Sequence, residues 1–183
     1  MKSYLITDPK YYSSDIKIFE TTLTKTLKKH LPSIVCFRDK ESQNTEELIK
    51  TFVKVCKKEN IEDIFINSYI VLALKHKVKG VHLTSTQFDE IKYAKKNGLE
   101  VVISCHNEED IKQAIEEKAD FITYSPIYST PNKGEPKGLA KLQEVVKKYP
   151  IKVIALGGII TEEQIEDLEK IGVYGFASIR YFL

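Results

Sequence analysis

Residues 101–125 read VVISCHNEEDIKQAIEEKADFITYS and contain one complete strand–helix–strand unit. Two short apolar runs rich in β-branched residues, Val101–Ser104 and Phe121–Tyr124, flank a charged segment that begins at Asn107. Apolar runs that alternate with amphipathic segments predict βα units and a parallel sheet. Polar residues follow both runs, with His106 after the first and Ser125 after the second.

The same alternation runs through the whole chain and predicts eight strands with about seven helices between them. In the first helix Ile16, Phe19, Leu23 and Leu27 recur at steps of three and four, and Pro32 follows its end. The predicted strands are Tyr4–Thr7, Ile34–Arg38, Ile64–Asn67, Gly80–Leu83, Val101–Ser104, Phe121–Tyr124, Val153–Leu156 and Gly175–Ser178.

Several helix ends are marked by residues that satisfy unpaired backbone groups. Asn44 is a candidate N-cap, and Thr161-Glu162-Glu163-Gln164 fits a capping box. Asn97-Gly98 and Gly172 are candidate helix stops, since they accept a left-handed conformation at low cost. Each of these stops stands just before a predicted strand.

A closed parallel barrel and an open, doubly wound sheet share this local pattern, so periodicity alone leaves both possible. The polar and glycine residues that follow the strands favour the barrel, because a barrel collects the ends of all its strands on one face. We therefore expect an α/β fold, a (β/α)8 TIM barrel forming a single domain over residues 1–183. With few residues after the last strand, the eighth helix is expected to be truncated and the seam to be covered in a homodimer.

Composition excludes several classes of protein. The 183 residues are 42% hydrophobic and 30% charged, which is typical of a globular chain. A net charge of +2 arises from 28 basic and 26 acidic residues that are interspersed, so we expect no nucleic-acid partner. The chain shows no signal peptide and no apolar run of membrane-spanning length, so no membrane partner and a cytoplasmic location are expected. The three cysteines lack metal-ligand spacing and are expected to be reduced thiols.

Several residues within or just after the predicted strands are candidates for chemistry. Arg38 and Lys40 flank an aspartate after the second strand, where paired cations favour an anionic ligand. His106 is a candidate for proton transfer, although it could also simply precede a helix. His82 lies within a buried strand, where a hydrogen-bonded core histidine is the expected role. Tyr124 and Tyr128 could stack on a heterocycle or only pack the rim.

The segments at the strand ends, taken in order, resemble the thiamine phosphate synthase/TenI family over essentially the whole chain. The segments that carry the resemblance are Tyr4-Leu5-Ile6-Thr7-Asp8, Val35-Cys36-Phe37-Arg38-Asp39-Lys40, Asn67, Gly80-Val81-His82-Leu83, Ser104-Cys105-His106, Pro126-Ile127-Tyr128-Ser129-Thr130-Pro131-Asn132-Lys133, Ala155-Leu156-Gly157-Gly158-Ile159 and Gly175-Phe176-Ala177.

This resemblance implies a small phosphorylated heterocycle as substrate. A synthase of the family joins an aminopyrimidine diphosphate to a thiazole phosphate, whereas TenI-type members isomerise a thiazole carboxylate phosphate. Residues that match diphosphate-binding positions are Arg38, Lys40, Asn67, Ser104 and Lys133. Residues that match the thiazole phosphate site are Thr130, Gly158, Ile179 and Arg180, with Gly157 and Asn132 beside them. His106 and Lys133 are the candidate catalytic residues.

The sequence departs from the family pattern at informative positions. Ser68 and Gln87 stand where the synthase has the two aspartates that hold magnesium, and a hard cation prefers anionic oxygen. We therefore expect no metal site, and Mg²⁺ as a cofactor only if the chain is a synthase. Pro126 stands where TenI-type tautomerases place a histidine, and Asn132 and Arg180 also differ from the family pattern.

Three functions remain open from the sequence. A TenI-like thiazole tautomerase is favoured because both magnesium carboxylates are replaced. A divergent thiamine phosphate synthase is the second hypothesis, supported by the segment 126–133. A non-catalytic phosphate-binding or scaffold protein is the third, supported by the missing aspartates and the missing histidine.

Overall fold

The computed structural model describes residues 1–183 and forms a closed barrel whose eight strands follow one another in chain order. All neighbouring strands are parallel, and the first and last strands close the barrel with Tyr4 opposite Ala177. The strands are Lys2–Ile6 (β1), Ile34–Phe37 (β2), Asp63–Asn67 (β3), Gly80–Leu83 (β4), Glu100–Cys105 (β5), Phe121–Tyr124 (β6), Lys152–Leu156 (β7) and Gly175–Ser178 (β8).

Helices surround the barrel and connect each strand to the next. They are Pro9–Tyr12 (α1), Ile16–His30 (α2), Thr45–Lys58 (α3), Ile70–Lys75 (α4), Ile91–Lys96 (α5), Glu108–Glu116 (α6), Gly138–Lys148 (α7) and Glu162–Ile171 (α8), with 3₁₀ turns at Phe88–Glu90 and Arg180–Phe182. The predicted α/β barrel is confirmed. Eight helices replace the expected seven because the connection from β1 to β2 contains both α1 and α2.

Side chains that alternate along the strands form an inner and an outer core. Tyr4 and Ile6 face the barrel interior, while Leu5 between them packs outward against the helices. The inner core consists of Tyr4, Ile6, Ile34, Cys36, Phe65, Val102, Phe121, Ile154 and Ala177. The outer core is a single cluster of 42 buried residues between barrel and helices. The barrel interior is therefore packed rather than open.

The predicted helix ends are confirmed at α8, and the predicted start of α3 is correct in position although Asn44 makes no capping hydrogen bond there. Thr161 and Gln164 form the full capping box at the start of α8, and Gly172 ends this helix with φ of 81°. Asn44 precedes α3 but its side chain does not cap it; the amide instead donates to the backbone oxygen of Ser14. At the start of α2 the capping residue is Asp15, which accepts from two backbone N–H groups.

The helix expected after β8 was predicted to be truncated, and the element found there is only the 3₁₀ turn Arg180–Phe182. Phe182 is buried and stacks on Phe176, with ring centroids 6.0 Å apart. The His30 ring at the end of α2 meets Phe182 edge to face. The seam is therefore filled from within by aromatic side chains, which the sequence did not predict. None of the helices combines the length and apolar character needed to cross a bilayer.

Candidate active site

A cavity of about 650 Å³ lies at the C-terminal ends of the strands. The residues that β2, β3, β5, β7 and β8 present there come from distant parts of the sequence, because a closed barrel brings all strand ends to one rim. All twelve candidate site residues line it: Arg38, Lys40, Asn67, Ser104, His106, Thr130, Asn132, Lys133, Gly157, Gly158, Ile179 and Arg180. Their grouping around one cavity agrees with the sequence analysis, while their roles stay predictions.

The cationic side of the cavity begins at the end of β2. Arg38 donates from Nη1 to Oδ2 of Asp8 at 2.9 Å, and both side chains line the cavity. Asp39 folds back and accepts from the N–H groups of Glu41 and Ser42. Burial raises the pKa of Asp39, but these bonds and the Ser42 hydroxyl lower the pKa more, so it is below its usual value. This fold leaves Lys40 exposed with no ion-pair partner.

Lys133 and Asn132 lie in the loop between β6 and α7. Both are exposed, and Asn132 takes a positive φ of 60°, an accessible conformation for asparagine. Thr130 is half-buried, and its hydroxyl donates to the backbone oxygen of Tyr128 at 3.0 Å. Tyr124 and Tyr128 do not line the cavity. The packing role for these two tyrosines, one of two left open by the sequence, is the one observed.

Two consecutive glycines form the turn after β7. Gly157 and Gly158 have φ of 100° and 70°, in the left-handed region that side chains disfavour. A Cβ on Gly157 would lie 2.8 Å from Cα of Pro126, and one on Gly158 would lie 2.6 Å from the backbone oxygen of Ser129. Both glycines are thus required for close packing of this turn against the β6 loop.

This turn and the end of β8 present unused backbone donors. The N–H groups of Gly158, Ile179 and Arg180 take part in no hydrogen bond within the chain. Gln164 at the start of α8 donates from Nε2 to the oxygen of Gly158 at 3.1 Å, which holds the turn against the helix. Free N–H groups on a fixed turn are suited to anionic oxygens such as those of phosphate.

His106 lies at the end of β5, beside the β6 loop. Its Nδ1 is 3.2 Å from the backbone oxygen of Ser125 and 3.3 Å from the Ser125 hydroxyl. A carbonyl oxygen can only accept, so the contact with the backbone is a hydrogen bond when Nδ1 carries the proton. In that form Nε2 keeps a lone pair and can act as a base.

His82 is buried in β4, as expected for a hydrogen-bonded core histidine, and its small exposed part lines the cavity. Its Nδ1 is 3.0 Å from the Tyr4 hydroxyl, and its Nε2 is 3.2 Å from the Ser104 hydroxyl. Burial, with a smaller effect of Arg38, lowers the pKa of His82 to about 3. The backbone oxygen of His82 accepts from Nδ2 of Asn67 at 2.7 Å. His82 therefore holds two cavity residues, Ser104 through its neutral ring and Asn67 through its backbone oxygen.

Ser68 and Gln87 lie side by side, but their donors do not suit a magnesium ion. Gln87 donates from Nε2 to the backbone oxygen of Ser68 at 3.2 Å, and its Oε1 accepts from the N–H of Thr84. The Ser68 hydroxyl bonds to Oδ1 of Asn67. Magnesium sites in proteins normally use one or two carboxylates, and neither position offers one. The residues present therefore do not fit this metal.

The three cysteines are buried free thiols, in agreement with the sequence analysis. Burial raises the pKa of Cys36 to about 12 and raises the pKa values of Cys56 and Cys105 as well. Thiolate chemistry near neutral pH is thus disfavoured at all three.

Sequence reasoning missed two parts of this site. Asp8 follows β1 just as Arg38 follows β2, and that position could have marked it as a cavity residue. The hydrogen bond from Tyr4 to His82 joins residues 78 positions apart, and no periodic pattern marks such a pair.

Comparison with known proteins identifies the family of this chain. The sequence model of the family described as "Thiamine monophosphate synthase" matches residues 3–182. The chain is 39% identical over 185 residues to "Putative thiamine-phosphate synthase 2" of Aquifex aeolicus, covering 98% of this chain and 96% of that protein. It is 32% identical over 148 residues to "Thiamine-phosphate synthase" of Proteus mirabilis, covering 78% and 68% of the two chains.

A solved structure shares the fold. "Thiamine phosphate pyrophosphorylase" from Pyrococcus furiosus superposes with a TM-score of 0.79 at 24% identity, covering 97% of this chain and 85% of that chain. The family match extends over nearly all of the residues that form the barrel and its cavity. This chain therefore belongs to the thiamine monophosphate synthase family.

Proposed function

We propose that this protein binds a thiazole phosphate in the rim cavity and catalyses its tautomerisation, as TenI-type members of the family do. The observation that carries the proposal is the placement of His106 against Ser125. Pro126, the next residue, stands where TenI-type tautomerases have a histidine. The imidazole of His106 reaches the same region from the neighbouring strand end.

In this proposal His106 moves the proton. Tautomerisation requires a base that takes a proton from one atom and an acid that returns one to another atom, and it requires no metal. The Ser125 carbonyl orients the ring and leaves Nε2 free toward the ligand. Lys133, which lines the same cavity, is the candidate for stabilising negative charge that develops on the ligand.

The phosphate end of the ligand is assigned to the turn after β7 and the end of β8. The unused N–H groups of Gly158, Ile179 and Arg180 support this assignment, together with the half-buried Thr130 hydroxyl. Arg180 adds a positive charge at the same rim. Charge-assisted hydrogen bonds to phosphate oxygens do not depend on a metal.

The test is an assay of isomerisation with the thiazole carboxylate phosphate tautomer in the presence of EDTA. We expect His106→Asn to lower kcat by about 100-fold or more and to leave substrate binding within a factor of about three. We expect Gly158→Ala to abolish binding, because its Cβ would displace the backbone of the β6 loop. Full activity of His106→Asn would contradict the proposed role of His106.

A divergent thiamine phosphate synthase is the second candidate, favoured by the cluster of Arg38, Lys40 and Lys133 at one cavity. These cations suit a diphosphate better than a single phosphate. The competing assay supplies thiazole phosphate and aminopyrimidine diphosphate, with and without Mg²⁺. Thiamine phosphate as product selects the synthase, isomer alone selects the tautomerase, and binding without either product selects a non-catalytic protein.

A further inference from the structure

A chain of hydrogen bonds runs from the sealed interior of the barrel to the cavity wall. The Tyr4 hydroxyl contacts Nδ1 of His82 at 3.0 Å, and Nε2 of His82 contacts the Ser104 hydroxyl at 3.2 Å. Tyr4 is fully buried and does not line the cavity. His82, which is 3% exposed, and the half-buried Ser104 both line it. Among these three residues, only Ser104 was assigned to ligand binding by the family resemblance, and the proposed function gives no role to Tyr4 or His82.

The protonation states in this chain are fixed by burial. Burial lowers the pKa of His82 to about 3, so near neutral pH its ring is uncharged and carries a single N–H. Burial raises the pKa of Tyr4 well above its usual value, and the nearby Cys36 raises it further, so the hydroxyl keeps its proton. Each group therefore has one proton to donate along the chain, and only two directions are possible.

Protons can be donated outward, from Tyr4 to His82 to Ser104, or inward, from Ser104 to His82 to Tyr4. The two directions differ in the acceptor that is left for the proton of the Tyr4 hydroxyl. If Tyr4 donates to Nδ1, then Nε2 donates to Ser104, and the Ser104 proton is free for the cavity. In the reverse direction Ser104 donates inward, and the Tyr4 proton is left with the sulfur of Cys36, its remaining polar neighbour. Sulfur is a weak acceptor, and a buried hydroxyl without a good acceptor is costly. The outward direction is therefore the stable one.

A second contact of His82 strengthens the hold on the cavity wall. Its backbone oxygen accepts from Nδ2 of Asn67, which leaves Oδ1 of Asn67 to the Ser68 hydroxyl. Thr123 also approaches Nε2 of His82, at 3.4 Å, but it is fully buried and does not line the cavity. His82 borders the cavity only through its 3% exposed surface, so Ser104 is the hydroxyl through which this chain of hydrogen bonds reaches a ligand.

We propose that Tyr4 and His82 are positioning residues that fix the Ser104 hydroxyl as a hydrogen-bond donor into the cavity, directed at an anionic oxygen of the ligand. This inference rests on the anion-binding cavity of the proposed function. Tyr4 does not line the cavity, and His82 borders it only through its 3% exposed surface. They act by denying Ser104 an inward acceptor, so that its proton has only the ligand to bond.

The direction of the chain is tested without any ligand. Histidine labelled with ¹⁵N in the whole protein gives ring signals that report which nitrogen carries the proton, and His82→Gln identifies the signals of His82 among the four histidines. We expect a single tautomer with the proton on Nε2. In Tyr4→Phe the bias toward this tautomer should shrink, because Nδ1 loses its donor. A wild-type ring protonated on Nδ1 would overturn the proposal.

The consequence for binding is tested by calorimetry with inorganic pyrophosphate as the probe. We expect Ser104→Ala to weaken binding about 10-fold and Tyr4→Phe about threefold, since a hydrogen bond to a charged acceptor is lost in one and weakened in the other. The double variant should bind no more weakly than Ser104→Ala alone. Tyr12→Phe is the matched control, because its hydroxyl is also buried but lies outside the cavity; its binding should equal that of the wild type.

The two experiments separate this inference from the proposed function. The positioning role would be overturned if Tyr4→Phe did not weaken pyrophosphate binding at all. It would also be overturned if Tyr4→Phe still lowered the affinity threefold in the Ser104→Ala background. Failure of the wild type to bind pyrophosphate would overturn the anion-binding cavity, and the positioning role toward a ligand with it. The tautomer measurement would still show whether the chain of hydrogen bonds has the inferred direction.

Discussion

At the scale of single residues, the neutral state of His82 links the proposed ligand contact of Ser104 to the stability of the barrel. Its side chain is buried and bonds to Tyr4 on one side and Ser104 on the other. A proton on both ring nitrogens would reverse the hydrogen bond with Tyr4, whose hydroxyl would have to accept and would leave its own proton without a good acceptor. Acid should therefore destabilise the barrel through this one residue.

This leads to a prediction for the pH dependence of stability. The pKa of His82 is about 3 in the folded chain and about 6.5 in an unfolded one, so the unfolded chain binds the extra proton first as pH falls. The contribution of neutral His82 to the free energy of unfolding is complete above pH ~6.5. It is lost as pH falls toward 3, at up to ~1.4 kcal/mol per pH unit. Urea denaturation at several pH values between 6.5 and 5 gives the free energy of unfolding at each pH. This free energy should fall less steeply with decreasing pH in His82→Gln than in the wild type. Equal slopes would show that His82 is not held neutral.

A second prediction at this scale concerns Ser68 and Gln87. Their neutral oxygens give Mg²⁺ too little negative charge, so calorimetry should detect negligible Mg²⁺ binding by the unaltered protein. Replacing both with aspartate should create measurable affinity, because Gln87 already contacts the backbone of Ser68. Asn97→Asp with Gln113→Asp adds the same charge at exposed positions and serves as the control. Tight Mg²⁺ binding by the wild type would mean that other groups hold the metal.

At the scale of elements, the start of α8 supports the turn that is assigned to phosphate. Gln164 accepts from the N–H groups of Ile160 and Thr161 and donates to the oxygen of Gly158. Thr161 provides the other half of the capping box, through the N–H of Gln164, but does not contact Gly158. Both side chains therefore cap α8, but only Gln164 also holds the Gly158 turn.

We predict that the two capping residues separate stability from binding. Thr161→Ala and Gln164→Ala should each lower the free energy of unfolding by ~1 kcal/mol, the usual effect of losing a cap. Only Gln164→Ala should also weaken binding of inorganic phosphate, because the Gly158 turn loses its tether to the helix. Thermal denaturation and calorimetry on the same samples test this. Equal phosphate affinities in the two variants would disprove a role of the tether in binding.

The elements also show what the sequence could predict. β4, β6 and β8 were located with their correct bounds, because apolar runs there are bounded by glycine or polar residues. β1 was predicted as Tyr4–Thr7 but spans Lys2–Ile6, since Lys2 and Ser3 pair with β8 despite their polarity. Helix α1 was missed because four residues are too few for a period. The cavity residues were found from their positions at strand ends, whereas the Tyr4–His82 bond depends on how the closed barrel packs.

At the scale of the whole molecule, the barrel closes completely, and the seam next to β8 has a different character from the one expected. Phe176, Tyr181 and Phe182 fill it from within, so the missing helix leaves no open core. Apolar side chains remain exposed on its outside. Leu31 follows α2 and is 74% exposed, and Leu183 is 47% exposed. Lys29 donates to the backbone oxygen of Leu183, which holds the two chain segments together.

We predict that this outer surface of the seam mediates self-association as a homodimer. In a twofold symmetric interface the same residue of both subunits is buried. Each leucine side chain removed from water would contribute ~2 kcal/mol to the free energy of association, so Leu31 would contribute twice. Sedimentation velocity at micromolar concentration should give a dimer for the wild type and a monomer for Leu31→Lys, because a lysine at the same place would bury two like charges. Val71→Lys is the matched control: Val71 is 70% exposed on α4, away from the seam, and this variant should remain dimeric. A wild type that sediments as a monomer would show that the aromatic residues inside the seam suffice to close it, and that the exposed leucines contact only water.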